Sequence, residues 1–406
     1  MALRGCSIVI VLAAAGPCMA QATFQGVGDL PGGVFTSEAL GVSPDGSRVV
    51  GYSITGANTS AAFVFTGGVL SSIGDPPGGT MRGVANAAAE NGVIVGEGDA
   101  GRGTEAFKYN DGRWRMLGGT VQGGFVGSSA AAVSLDGRIT VGSIELSGFR
   151  IQAARWEAFL LSPLGYLSGG GAFSAAYGVS GDGEIVVGVS DSFAGDQAFR
   201  WTSGGMVGLG DFPGGAFNSQ ANAISRDGST IVGSATSTEG VRAARFVVGG
   251  APVSLGTLGG FSEALAVSAD GSVVVGRSSV GNTTEAFIWT SAEGMRPLSA
   301  VLAAAGADVS GWNIRSAFGI SDDGRVVCGS GINPSGQIEG WVAVLPDPCR
   351  ADFDGDGFVD FFDFDAFAGC FEGGVCPPGK SPDFDGDGFV DFFDLDAFVG
   401  AFEAGC

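Results

Sequence analysis

The chain has 406 residues, among them 75 glycines, 30 phenylalanines and no histidine, and its formal net charge is −22. Without imidazole there is no Ser-His-Asp or Cys-His catalysis and no His-ligated zinc. So acidic a surface also repels nucleic acid and anionic lipid, and among hydrolytic chemistries a pair of carboxylates remains available.

The chain opens on an export signal. Arg4 supplies a minimal charged region, Ile8 to Ala15 an apolar run, and Ala20-Gln21-Ala22 a small-x-small cleavage site. Cleavage there makes residues 1–22 a signal peptide, starts the mature chain at Thr23 and sends it to the cell surface or the medium. Cys18 follows Pro17, which suits a lipoprotein box poorly. No later stretch has the roughly 18 consecutive apolar residues of a membrane span, so no transmembrane segment is expected.

Over residues 23–346 one pattern recurs. A Gly-Gly turn leads into a small-residue strand, a DG or NG turn, a Val-rich strand ending in Gly, a strand with AF or AR before an aromatic, and a polar return. The turns sit at Asp45, Asn91, Asp136, Asp182, Asp227, Asp270 and Asp323, at intervals of 46, 45, 46, 45, 43 and 53 residues. Regularity of that kind outweighs local propensity. The sixth unit shows the strands most clearly: 264–268, 272–278, 285–290 and a last one near 295–298. DG between alternating apolar runs predicts a tight primed hairpin turn. Seven four-stranded units predict a mainly β chain folded as a seven-bladed β-propeller. An extra strand at 23–33 resembles 207–215, and the seventh unit stops after its third strand, 340–346. The first strand should therefore complete the last blade and remove two exposed edges.

Two features inside the repeats invite a chemical reading. The residue before the inner-strand Ala varies, reading Glu38, Arg82, Ser129, Ala175, Gln220, Glu263 and Ser316, and in a propeller it would face the channel mouth. Glu38, Arg82 and Glu263 are the candidates there for a ligand site. The repeated Asp of the DG turns is explained by turn chemistry, and Trp114, Trp156, Trp201 and Trp289 read as inter-blade core. Cys328, in the apolar run VVCG, reads as a buried free thiol.

The C-terminal residues 347–406 differ in kind. Residues 346–406 hold 13 Asp and 2 Glu against Arg350 and Lys380, a net of −13. One loop occurs twice, DFDGDGFVDFFDFDAFAGCFE from Asp352 and DFDGDGFVDFFDLDAFVGAFE from Asp383, with three differences in 21 positions. Asp at loop positions 1, 3, 5, 9 and 12 with Gly at 6 is the spacing that wraps oxygen ligands around Ca2+. The ligands would be Asp352, Asp354, Asp356, the Phe358 carbonyl, Asp360 through water and Asp363, then Asp383, Asp385, Asp387, the Phe389 carbonyl, Asp391 and Asp394. Two Ca2+ ions are implied, and without them so acidic a segment should fold poorly. Phe364, Phe367 and Phe371 follow on one helical face, so each copy is a loop plus one helix.

Two loop-helix units 31 residues apart, each lacking a helix before its loop and carrying Asp at position 12, resemble a dockerin domain. With the flanking cysteines and the final Gly405-Cys406 they resemble more narrowly the GC-type dockerin anchors of bacterial surface proteins. The resemblance implies a partner, a cohesin-like or other cell-surface anchoring protein. Positions 10 and 11, where such modules meet their partners, carry Phe361-Phe362 and Phe392-Phe393. At least one ring of each pair is expected in the core of so small a domain, and the others on an exposed apolar patch that marks an interface. Cys349, Cys370, Cys376 and Cys406 allow three pairings; the ends of a two-fold pair tend to meet, which favours Cys349 with Cys406 and Cys370 with Cys376.

The β units resemble HAF-type extracellular repeats, the tripeptide here reading EAF at 105–107 and 285–287, QAF at 197–199 and AAF at 61–63. That resemblance implies an exported location and brings no catalytic activity with it. The expected function is thus a non-catalytic propeller attached to the cell surface or a scaffold through a Ca2+-dependent module and binding a protein or glycan. The alternative is a polysaccharide-degrading hydrolase or lyase targeted by the same module.

Overall fold

In the computed structural model, residues 22–345 form one compact unit and residues 346–406 belong to another. The structure describes residues 21–346, 351–354, 359–377, 380–384 and 389–404, apart from 57–58, 80–81, 102 and 119–124. No helix among them is long and apolar enough to cross a membrane.

The larger unit is a succession of antiparallel meanders. The sixth repeat gives the plan: Ser262–Val267, Val273–Val280, Thr283–Thr290 and Gly294–Pro297 pair in that order. The fourth and fifth repeats join into one eight-stranded sheet through the single parallel bridge Asp196–Asn218. A helix the sequence did not announce, Leu298–Ala304, follows the sixth repeat, buries Leu298 and Leu302, and accounts for the longer last interval. Each sheet packs on the next, and the last, Asn313–Ile320 with Val326–Ile332 and Ile338–Val344, packs on Ser37–Val42 of the first. Thr23–Gly26 pairs antiparallel with Ile338–Val344 and makes the final sheet four-stranded. The ring therefore closes, and the unit is a β-propeller.

Register explains why the repeat is rich in small residues. In each repeat an inner-strand Ala faces a Gly of the second strand, as in Ala39–Gly51, Ala85–Gly96, Ala176–Gly188 and Ala264–Gly276, and a register shift follows at once. At Gly51 a Cβ would lie 1.9 Å from the Glu38 carbonyl oxygen and 2.8 Å from the Phe63 ring, so no side chain fits. The space goes to the third strand: Phe63, Phe107, Phe199 and Phe287, the last residues of the AAF, EAF, QAF and EAF tripeptides, are fully buried. Burying each such ring is worth about 1.5–3 kcal/mol.

The Ala of those tripeptides has a separate task. Its N–H, or that of its counterpart, donates to a serine two residues before the inner-strand Ala of the following repeat: Ala106 to Ser128 (2.8 Å), Ala153 to Ser174 (2.9 Å), Ala198 to Ser219 (3.0 Å) and Ala243 to Ser262 (2.9 Å). Ser174, Ser219 and Ser262 donate onward to the carbonyls of Gly165, Gly210 and Gly256. At the closure Gly340 donates to Ser37 at 3.1 Å, and Ser37 donates to Gly28, just past the N-terminal strand. One pin thus recurs between repeats, and the N-terminal strand occupies the place of a missing fourth strand.

The DG turns differ from the expected primed hairpins. Only their glycines have positive φ, for example Gly46 at 71° and Gly183 at 78°, and each turn spans four residues closed by a bond such as Gly46 N–H to Ser43 C=O at 2.9 Å. In six of the repeats a serine opens the turn and secures it, while the second repeat closes the same turn from Ala89 to Gly92. Ser43 donates to Asp45 at 2.5 Å and accepts from the Arg48 N–H, while Asp45 accepts from the Ser47 N–H, which stabilises a turn with left-handed Gly as its last residue. The same set surrounds Asp136, Asp182, Asp227, Asp270 and Asp323. Neighbouring turns also bond to one another, as in Gly181 N–H to Arg226 C=O, Ala269 N–H to Asp322 C=O and Asp322 N–H to Pro44 C=O, forming a collar on that end of the ring.

The smaller unit has a core of phenylalanine arranged with approximate two-fold symmetry. Phe367 and Phe398, one from each of the helices Phe361–Phe371 and Phe392–Ala404, stack at 4.1 Å with planes 6° apart. Phe353 and Phe384 meet them edge-on at 5.2 and 5.3 Å. All four are buried, whereas Phe361, Phe362, Phe392 and Phe393 are 65–71% exposed. The expectation that one ring of each pair fills the core is therefore wrong, because position 2 of each loop and the second turn of each helix already fill it.

Candidate metal centre and propeller face

Each loop of the smaller unit ends in a buried aspartate that organises it. Asp363 accepts from the N–H of Asp354 and of Asp360, both at 2.9 Å, and Asp394 accepts from Phe384 (2.5 Å) and Asp391 (2.8 Å). Asp360 and Asp391 cap the helices that follow by accepting from Phe362 and Phe393, both at 2.8 Å. Asp360 and Asp363 together form a reciprocal capping box. The sequence that spaces ligands around an ion therefore also starts a helix, so loop and helix form as one object.

Asp352, Asp354 and Asp363 each offer a carboxylate oxygen within 4.8 Å of the others. The donor set is all oxygen, which suits a hard divalent cation rather than a soft one. Three converging carboxylates repel one another, and the bonds to Asp363 occupy only one lone pair of each of its oxygens, so the residues fit Ca2+. Asp356 and Phe358 of the first loop and Asp385 and Asp387 of the second lie outside the described residues, as do Cys349, Cys406 and residues 1–20 with Arg4 and Cys18. Phe389 is 71% exposed. Lys380, between the loops, donates to the Asp352 carbonyl at 2.7 Å and lies 5.8 Å from the Phe353 ring. A disulfide joins Cys370 to Cys376, tying the end of the first helix to the connector; Cys328 is a free, buried cysteine of the propeller whose thiol burial pushes up to about 12.

On the propeller face, the candidates separate. Glu38 stands opposite Tyr52 across Ser37–Val42 and Val49–Gly56. Burial raises the Glu38 carboxyl above its ordinary range against the opposing effect of a hydrogen bond from Tyr52, and burial followed by the nearby carboxylate pushes Tyr52 up to about 12. Glu263 is buried and already satisfied, because Arg277 binds it at 2.7 and 3.0 Å and Asn222 donates to it at 3.1 Å. It is a structural ion pair. Arg82 is out of place: the second repeat's inner Ala is Ala85, so Val84 holds the position equivalent to Glu38 and Glu263. Arg82 lies two residues earlier and lines a cavity of about 630 Å³ with Tyr52, Glu97 and Asp99. Trp156 is fully buried and Trp114 packs on Phe107 at 4.7 Å, in the core as expected, although Trp114 sits on a fourth strand, Arg113–Met116.

No known protein family matches the chain, and no curated protein matches it. Among solved structures, it is similar to TolB from Acinetobacter baumannii (15% identity, 63% of this chain, TM-score 0.42), of whose length it spans 60%. It is also similar to an oligogalacturonate lyase in complex with manganese (12% identity, 82% of this chain and 99% of that one, TM-score 0.48). A puromycin-hydrolyzing peptidase from Mycobacterium tuberculosis gives 14% identity over 75% of this chain and 53% of that one, with a TM-score of 0.49.

Proposed function

We propose that the chain is an exported, non-catalytic β-propeller of seven blades, carried on a cell surface or protein scaffold by a dockerin-like module, residues 347–406, that works only with Ca2+ bound. The supporting observation is the convergence of Asp352, Asp354 and Asp363 around a buried carboxylate that also caps a helix. Asp383 and Asp394 begin and end the repeated loop 31 residues on, so two ions are proposed. When bound, Ca2+ supplies charge neutralisation and a cross-link between loop and helix. Residues 352 to 363 and 383 to 394 would hold it. The seven-blade reading divides the eight-stranded sheet at its single parallel bridge, leaving four strands on either side.

The exposed pairs Phe361-Phe362 and Phe392-Phe393 support attachment through an apolar surface. They sit in the first turn of each helix, between the proposed ligands Asp360 and Asp363 and between Asp391 and Asp394, so the ion and the partner surface are coupled. The partner is then a cohesin-like or other cell-surface anchoring protein with a complementary apolar face. The test is retention of the purified full chain on native cell envelopes. Retention should require Ca2+, vanish with EDTA, and drop at least tenfold in the variant carrying Phe361→Ser, Phe362→Ser, Phe392→Ser and Phe393→Ser. Retention that survives EDTA would sink the reading.

A further inference from the structure

We infer that the cavity between the first and second repeats, continued between the second and third, is a binding groove for a neutral oligosaccharide, with Glu97 at its centre. This deepens the reading of the propeller face as a ligand-binding surface and rests on it, but it does not depend on the calcium module. Two cavities of about 630 and 340 Å³ share Glu97 and Thr104 in their walls, so they adjoin at these two residues.

Glu97 departs from its counterparts in the first and sixth repeats, the other two in which this position carries a large polar side chain. It holds the residue after the second-strand Gly, the position of Tyr52 and Arg277. Tyr52 hydrogen-bonds the Glu38 opposite, and Arg277 forks onto the Glu263 opposite. Opposite Glu97 stand Val84 on one side and Ala106 on the other, neither of which can donate from a side chain. Among the described residues no side chain bonds to Glu97 or Arg82, although Glu97 is half-buried. A half-buried carboxylate with no side-chain donor beside it can accept from a ligand's hydroxyl.

The rest of the wall indicates which donor. Asp99 and Arg82 flank Glu97 in the larger cavity, and Ser129, Ser143 and Glu145 line the smaller one. Planar carboxylate and guanidinium groups match pairs of adjacent hydroxyls, and the serine hydroxyls can donate or accept. Three carboxylates against one guanidinium repel an anionic ligand, so a neutral polyol fits where a uronate does not.

The test is calorimetric titration of the full-length, Ca2+-loaded protein with neutral tetrasaccharides of glucose, mannose, xylose and galactose, and separately with trigalacturonate. At least one neutral tetrasaccharide should bind one-to-one, and trigalacturonate at least tenfold more weakly. Glu97→Gln should weaken that binding about tenfold or more without moving the melting temperature, since no protein partner is lost. Val84→Arg should weaken it too, by giving Glu97 the cross-strand partner it lacks. No binding by any of the four neutral sugars at millimolar concentration, tighter binding of trigalacturonate, or an affinity unchanged in Glu97→Gln would each overturn the inference. Loss of envelope retention with intact sugar binding would instead fault the tether alone.

Discussion

At the scale of residues, the propeller depends on serines and aspartates that carry no chemistry. Ser219 accepts from the Ala198 N–H and donates to Gly210 across two repeats, so Ser219→Ala should leave a buried donor unpaired and cost about 1–3 kcal/mol in chemical denaturation. A cost near zero would show that the pin is incidental. Ser225 and the Ser229 N–H hold the Asp227 carboxyl below its ordinary value, and Ser180 does the same for Asp182. Depressed values mean stability present above the unfolded value, about 3.9, and lost as pH falls through the folded one. The double variant Asp182→Asn, Asp227→Asn should therefore melt below the parent at pH 7, and the gap should close in strongly acidic buffer. A gap independent of pH would contradict this. These pins were legible in principle, because Ser stands two residues before Ala at 37, 128, 174, 219 and 262. Their role was not, since a hydroxyl between sheets cannot be told from one in solvent by spacing alone. The same limit misplaced Arg82: the second repeat has Gly83 where five others carry that serine, and without the marker its inner strand slides by two.

At the scale of elements, the closure of the ring was visible in the chain because a strand without a repeat and a repeat without a strand complement each other. What secures the closure was not visible. Phe24 packs edge-on against Trp312 at 5.1 Å, and the buried Glu339 accepts from Gly28 N–H at 2.9 Å and from Asn333 at 2.8 Å. Glu339→Ala removes the acceptor of both. Amide hydrogen exchange at residues 24–28 should then accelerate while that of 186–191 is unchanged, and uniform acceleration would mean that Glu339 supports the whole fold instead. In the smaller unit the loops and their helices were legible from ligand spacing and the Phe364, Phe367, Phe371 stripe. The core was only half legible. Phe353 and Phe384 are ordinary loop residues in sequence, and it takes the two-fold pairing of the copies to bring them edge-on to Phe367 and Phe398.

At the scale of the whole molecule, two compact units divide the work proposed for them: a closed ring whose face offers a carboxylate to a ligand, and a small acidic module proposed to fold on a cation. The repeat period and the doubled loop made both units legible before any coordinates, because each is written as self-similarity. The central claim is that the doubled loop binds calcium, and counting ions tests it most directly. Equilibrium dialysis of the full chain against micromolar to millimolar Ca2+ should give two ions per chain, falling to none in the variant Asp363→Ala, Asp394→Ala, which removes the buried carboxylate of each loop. No ion bound by the parent chain at millimolar Ca2+, or two ions still bound by that variant, would contradict it.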